Sequence, residues 1–488
     1  MTDSSTTAKE RHRLSGQLGT GSIVFMVMAA AAPLTVIGGN VPLIVGAGNG
    51  VGAPIGFAAA ALVLLIFSVG FVTMTPHVRE AGAFFSYVAS GLGSRFGLGA
   101  AFVALVAYTA IQVGIYGYMG WAANDLVTHF GGPELPWWLY SFATLVIVAL
   151  LGYRHIELGA RVLGVALVLE IAVMLVLDVV IFATGGESGP VLETFAPENI
   201  LTPGMSVAIL FSLTGFIGFE ATAVFRDEAR NPERTIPRAT YAAVIIIGVF
   251  YAVSCWALVT GAGSANAVDV AQKTLAGEGN MMLDAASQYV GSAFSDVMSV
   301  LLISSLFACV LSFHNVIARY QFSLANKGVL PGRLGVRNVR HNAPTFSSLV
   351  QSITAAIVLA VLVLFNLDPL VGVFGSMAGV STVGMVILML LTSIAVVVFF
   401  KNRPTLSNRR PIRTIVAPTV AILGLGGCLW LVLANFTLVT GASVGVSIFL
   451  ALVPVIALGA GVAVGGRFSL HQADEADVVG SPVAPAKV

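Results

Sequence analysis

Charge is what this sequence has least of: Asp, Glu, Lys and Arg make up 10% of its 488 residues, against roughly 25% in ordinary soluble domains. Its 24 basic and 23 acidic residues nearly cancel, leaving a formal net charge of +1, so nothing speaks for a nucleic-acid partner. Cysteine is scarce too. Cys255, Cys309 and Cys428 all fall inside apolar runs; an odd number there argues against a disulfide framework, and no Cys/His spacing has the pattern of a zinc site. Nor is there an H-E-x-x-H motif, a Ser/His pair or a cluster of carboxylates to suggest an enzyme. Polar residues within the apolar runs are too few for the continuous lining of a channel. No cofactor and no metal are expected.

What fills the space instead is apolar. Such residues are 57% of the chain and the mean hydropathy is +0.93, more apolar surface than a water-soluble fold of this length can hide. Stretches of about 20 apolar residues, each long enough to cross roughly 30 Å of hydrocarbon, recur throughout. The expected fold is therefore an all-α polytopic membrane protein, one membrane domain over 19–466 between a cytoplasmic tail at 1–18 and a disordered cytoplasmic tail at 467–488. The run from Ser22 to Val45 is too long for a signal-peptide core and reads as the first span.

Hydropathy, punctuated by Gly, Pro and charge, predicts about 12 spans, near 22–46, 53–75, 97–127, 136–152, 160–183, 204–225, 239–262, 286–321, 345–366, 369–400, 414–438 and 443–465. Lys and Arg collect in cytoplasmic loops, which tests that count. Assigning alternate loops to one side places 23 of the 24 basic residues there, with Lys273 alone on the other. Both termini are thus expected in the cytoplasm of a cell-membrane protein.

Two spans carry interruptions. Span 1 reads Ala31-Ala32-Pro33-Leu34-Thr35 and span 6 reads Thr214-Gly215-Phe216-Ile217-Gly218. Proline removes a backbone donor, and glycine leaves helical geometry cheaply. Unwound backbone is tolerated at membrane depth where it is buried in protein or lines a wet cavity, and paired breaks at matching positions mark the solute site of transporters built from inverted repeats. The ten residues named are the candidate substrate-binding set. Half-helix N-termini favour an anionic group and C-termini an ammonium, so a zwitterion would be served by both.

Ionisable residues inside spans carry functional hypotheses by default. Glu170 lies nine residues beyond Arg161, about 13 Å along a helix and near mid-membrane. Burying its charge is costly, so it can take up and release a proton as a cavity opens and closes; alternatively it pairs with a cationic substrate, or holds sodium with Ser304 and Ser305. Glu220 stands beside the span 6 break, as a gate or as an anchor for loose amides. Asp178, about 12 Å beyond Glu170, is expected at the outer interface, hydrated and without a role. His314 is expected in a satisfied hydrogen bond. Tyr116, Tyr118 and Phe307 are expected in helix packing. The arginines Arg226, Arg230, Arg234 and Arg238 have helical spacing, but Pro232 and Pro237 should interrupt any shared helix, leaving loop pairs with Asp227, Glu228 and Glu233.

The stretch Gly218-Phe219-Glu220, then Asp227-Glu228, then Asn231-Pro232-Glu233-Arg234-Thr235-Ile236-Pro237-Arg238-Ala239 closely resembles the amino acid-polyamine-organocation (APC) permease superfamily. Pro76 to Tyr87 is similar to that family's inward loop after span 2. Ser312 to Arg319, with Gly328 to Pro331, is similar to its end of span 8. The resemblance, covering roughly 20–465, implies a LeuT-like five-plus-five inverted repeat (19–183 and 204–400) with two extra helices (414–465). It implies alternating-access import of an amino acid or related amine, with protons as the coupling ion; electroneutral exchange, sodium symport and a non-transporting receptor of the same fold remain alternatives. Where the family commonly has a Gly-Ser-Gly-Ile type stretch, whose amides hold a substrate carboxylate, this chain has Ala31 to Thr35. Thr214 stands where some members place a gating aromatic, with Phe216 nearby as a lid. At the position of Glu170 several members carry a lysine whose ammonium stands in for sodium.

Overall fold

The computed structural model describes residues 18–78, 83–154, 160–224, 229–336, 344–407 and 410–466. Apart from Leu18, both expected tails lie outside them, as do the motif residues Arg79, Glu80 and Gly82, and Arg226, Asp227 and Glu228. Helices run in the order α1 (Thr20–Ala31), α2 (Pro33–Ile44), α3 (Ala53–Met74), α4 (Ala83–Leu92), α5 (Ser94–His129), α6 (Trp137–Arg154), α7 (Ala160–Thr184), α8 (Met205–Thr214) and α9 (Ala221–Val224). They continue with α10 (Pro232–Ala262), α11 (Ala267–Leu275), α12 (Met281–Tyr289), α13 (Ser292–Asn326), α14 (Thr345–Leu364), α15 (Ser376–Lys401), α16 (Ala417–Ala434) and α17 (Val444–Gly465).

Among the described residues nine runs are long and apolar enough to cross a membrane. One of them, Pro33–His77, holds α2 and α3 and thus two crossings, and the shorter α6 and α8 complete the twelve anticipated. The protein is an all-α, multi-pass membrane protein.

Burial sorts the helices. Every residue of α2 is buried, as befits a helix apolar all round. By contrast α14, α16 and α17 leave Ile357, Leu423, Trp430 and Ile456 exposed, a belt whose natural solvent is lipid. Glycine permits the closest approaches to α2. A Cβ at Gly38 would lie 2.5 Å from the Tyr118 hydroxyl and one at Gly39 2.9 Å from the Tyr118 ring, so these two positions form the flat face on which α5 lays that tyrosine. Tyr116 and Tyr118 are both buried in this packing, and Phe307 is half-buried.

Two expectations need correction. Span 8, anticipated from 286, is two helices, because Gly291 at φ 129° turns the chain between α12 and α13. The prolines do not interrupt a helix after span 6: α10 starts at Pro232 and runs through Pro237, carrying Arg234 and Arg238 together. Pro232 opens the helix, where its missing N–H would have had no partner, and Pro237, inside the second turn, removes one bond of the ladder without ending it. Among the described residues the ion pairs are His129–Asp296 and Lys273–Asp269, so Glu233 does not take an arginine as anticipated.

Candidate functional site

The first break turns on one residue. α1 stops at Ala31 and α2 begins at Pro33, with Ala32 between them in the left-handed region at φ 46°, ψ 75°. That conformation is costly for any residue with a Cβ. Pro33 offers no N–H, and the carbonyl of Ala31 is taken by the Tyr251 hydroxyl, which donates to it from α10 at 3.1 Å. The first turn of α2 therefore presents orphan amides and the positive end of a helix dipole.

Glu170 meets that end. The Leu34 backbone amide faces its carboxyl, and Ser305 of α13 donates to Oε2 at 2.8 Å. Thr35 in turn donates to the Ser305 hydroxyl at 3.2 Å. One buried carboxyl on α7 thus ties the broken helix to α13 through a chain of donors all directed toward it. Ser304 is not in this chain; its hydroxyl donates to Leu301 O within its own helix at 2.8 Å.

The second break is longer. Past Thr214 the backbone tightens into i→i+3 bonds from Phe216 to Leu213, Ile217 to Thr214 and Phe219 to Phe216. At Gly218, with φ 111°, the amide leaves that pattern and donates to Glu220 Oε2 at 2.9 Å, while Tyr108 of α5 donates to Oε1 at 2.5 Å. Both carboxylate oxygens of Glu220 are occupied. Of the two roles weighed for it, the anchor is the one this geometry displays.

The breaks lie side by side: a Cβ on Gly218 would be 3.4 Å from that of Ala30 and one on Gly215 2.9 Å from Val36. Between them and α5, α13 and the turn leading into α15 is a cavity lined by Ala31, Thr35, Thr214 and Ile217 among the anticipated residues. Phe216 points elsewhere, packing edge-on against Tyr251 with ring centroids 6.2 Å apart. Aromatic walls come instead from Phe313 and Phe374, and a polar one from Asn40, whose side chain donates to Phe211 O at 2.8 Å. Asn40 could have been found, as the lone amide in an apolar run. Phe313 and Phe374 carried no such signal. Thr214 shares a 2.5 Å hydrogen bond with Thr382 of α15. The free volume, about 20 Å³, is that of a single water, so the cavity is contracted.

Asp178 departs from its expected hydrated position. It is buried, and the Ser254 hydroxyl of α10 donates to Oδ2 at 2.6 Å. Distance along α7 says nothing about which neighbour a side chain faces. His314 shares a 2.8 Å hydrogen bond with Ser348. Among the described residues no three His, Cys, Asp or Glu side chains gather as a metal site.

Comparison with known proteins agrees with the architecture. Residues 18–460 match the family model described as amino acid permease. The chain is similar to the branched-chain amino acid permease of Bacillus subtilis (strain 168), 24% identical over 86% of this chain and 88% of the other. It is also similar to the L-methionine/branched-chain amino acid exporter of Escherichia coli (strain K12), 29% identical over 48% of this chain and 50% of that one. The serine/threonine exchanger of B. subtilis (strain 168) is 22% identical over 77% and 81%.

Proposed function

Because the chain belongs to the amino acid permease family, we propose that it imports an amino acid or a related amine by alternating access, with protons as the coupling ion. Its relatives include a permease, an exporter and an exchanger of amino acids by their names, which supports the solute class and leaves direction and coupling to the site itself. The observation that carries the proposal is the Glu170 junction, where one buried carboxyl accepts from Ser305, which accepts from Thr35, and so joins α7 and α13 to the broken helix.

A proton arriving there does two things. It cancels the negative charge that complements the α2 N-terminus, and it converts an oxygen that accepts into one that donates. The bond from Ser305 is no longer charge-assisted and weakens, so the junction loosens and the contracted cavity has a reason to open. Substrate recognition draws on the same ends: Ala31 to Thr35 and Thr214 to Gly218 supply backbone and hydroxyl groups, with Glu220 holding the second break in shape. The two five-helix repeats, 19–183 and 204–400, and the extra helices at 414–465 would be the moving parts. The basic-residue asymmetry supports termini on the cytoplasmic side.

One observation favours a second coupling ion. The oxygens of Thr35, Ser305 and Glu170 form a connected set, and oxygen donors suit a hard cation, here sodium. Solute-evoked currents from the reconstituted protein, recorded for a panel of amino acids and amines under separate pH and sodium gradients, decide between them. Currents that follow pH alone support protons, and dependence on sodium moves the coupling to the oxygen set. If current is absent yet preloaded vesicles exchange labelled solute, the carrier is an electroneutral exchanger. Saturable binding without any movement would make it a receptor.

A further inference from the structure

A second cavity lies away from the breaks. It has a volume of about 820 Å³ and sits where the end of α3, the start of α10, the end of α15 and the lead into α16 meet. Four guanidinium groups border it, Arg234 and Arg238 one turn apart on α10, Arg410 and Arg413 ahead of α16, and Glu233 is the acidic residue among its lining. All four arginines are exposed, and among the described residues none is in an ion pair. Among the described residues of its lining, four arginines stand against one carboxylate, which makes that lining cationic. Loop topology explains why arginines are on this side of the protein, but not why those of two distant segments converge on one hollow.

Val72, Tyr241, Phe400 and Leu406 give the hollow an apolar part, and exposed aliphatic side chains continue from it along two helices. Four and eight residues beyond Tyr241 on α10 stand Ile245 and Val249, 48% and 58% exposed. On the opposite wall Arg413 is followed by Val416 and Val420, 52% and 45% exposed. α3 packs on both α10 and α16, so it forms the bottom of a groove that begins with arginines and continues with exposed aliphatic side chains. A ligand fitting it has an anionic, phosphate-bearing head and apolar tails. Basic pockets between helices at the membrane surface hold such headgroups, and the volume is in the roughly 300–1,000 Å³ range of small-ligand sites.

We propose that this cavity binds the phosphate headgroup of an anionic phospholipid in the leaflet it faces, with the acyl chains lying along the groove between α10 and α16. A phosphate held there bridges Arg234 and Arg238 to Arg410 and Arg413 and fastens the start of span 7 to that of span 11. The inference rests on the chain being embedded in a bilayer and not on the solute it carries, so the currents described above can fail without touching it.

The test uses the purified full-length protein in mixed micelles containing phosphatidylglycerol or phosphatidylcholine, with retained lipid counted by native mass spectrometry. Phosphatidylglycerol is retained in preference. The variants R234Q/R238Q and R410Q/R413Q, each removing two charges from one wall, weaken retention by about thirty-fold, whereas R95Q/R333Q, which removes two exposed charges elsewhere, changes it less than about two-fold. Having a variant on each wall keeps the test decisive if one fails to fold, as checked by gel filtration. Equal losses in the R95Q/R333Q control, or full retention in both wall variants, overturn the site. Displacement of the lipid by inorganic phosphate at comparable concentration overturns the lipid assignment and identifies a soluble phosphate anion as the occupant.

Discussion

Glu170→Gln keeps the side chain's volume and removes its ability to exchange a proton. In the structure the carboxyl accepts from the Ser305 hydroxyl and faces the Leu34 amide. A glutamine oxygen can satisfy one of them, but its NH₂ group then points a donor at the other. Losing a hydrogen bond to a charged group costs about 1.5–3 kcal/mol, so the variant should be destabilised by about 2 kcal/mol while folding normally. The transport consequence is separable from this. One proton moving down one pH unit releases about 1.4 kcal/mol, enough to concentrate a neutral solute about tenfold. The sign follows from exposure: an acidic exterior protonates the carboxyl when it is open to that side, and the less acidic interior removes the proton. Vesicles with wild-type protein, acidic outside by one unit, should therefore accumulate labelled solute toward that tenfold limit, and E170Q vesicles should only equilibrate. Exchange of labelled for unlabelled solute needs no net proton movement and should persist in the variant. An E170Q protein that concentrates its solute as well as the wild type refutes the coupling role.

Ala32→Gly removes a Cβ from a left-handed residue and should stabilise the break by about 1 kcal/mol, read as a rise in thermal midpoint with uptake preserved. Tyr108→Phe leaves Glu220 Oε1 without its donor; the protein should lose about 1–3 kcal/mol of stability, and normal stability would show that the oxygen finds another partner. Asp178→Asn changes a buried carboxyl with one hydrogen bond that takes no part in the Glu170 junction, so the pH dependence of uptake should match that of wild type. A shift would bring Asp178 into the coupling path.

Most of the architecture was legible because lipid imposes a simple rule, an apolar run of fixed length for each crossing. The breaks at Pro33 and Gly215 to Gly218 could be read from residues that disturb a helix. Ala32 could not: alanine favours helices, and it is held left-handed here by tertiary packing. The partners of the buried acids were equally hidden. Tyr108 and Glu220 are 112 residues apart, and Tyr251 reaches Ala31 across 220. Choosing Ser305 over Ser304 depends on a rotation of about 100° around one helix, which requires knowing what stands opposite. Pro237 illustrates the reverse error, a strong local signal overridden because a long helix runs on past the one bond the proline removes.

The contracted cavity has a thermodynamic consequence for how this carrier would be assayed. A solute larger than a water can enter only a conformation in which the helices around Thr35, Thr214 and Phe374 have separated, so any measured dissociation constant contains the population of that open form as well as the contacts made within it. Substitutions that loosen the surrounding packing should then appear to tighten binding without touching the ligand. The same substitutions weaken the barrier that prevents both gates from opening together, so higher apparent affinity would come with leak. Affinity and tightness of coupling are set against each other by the same few packed side chains.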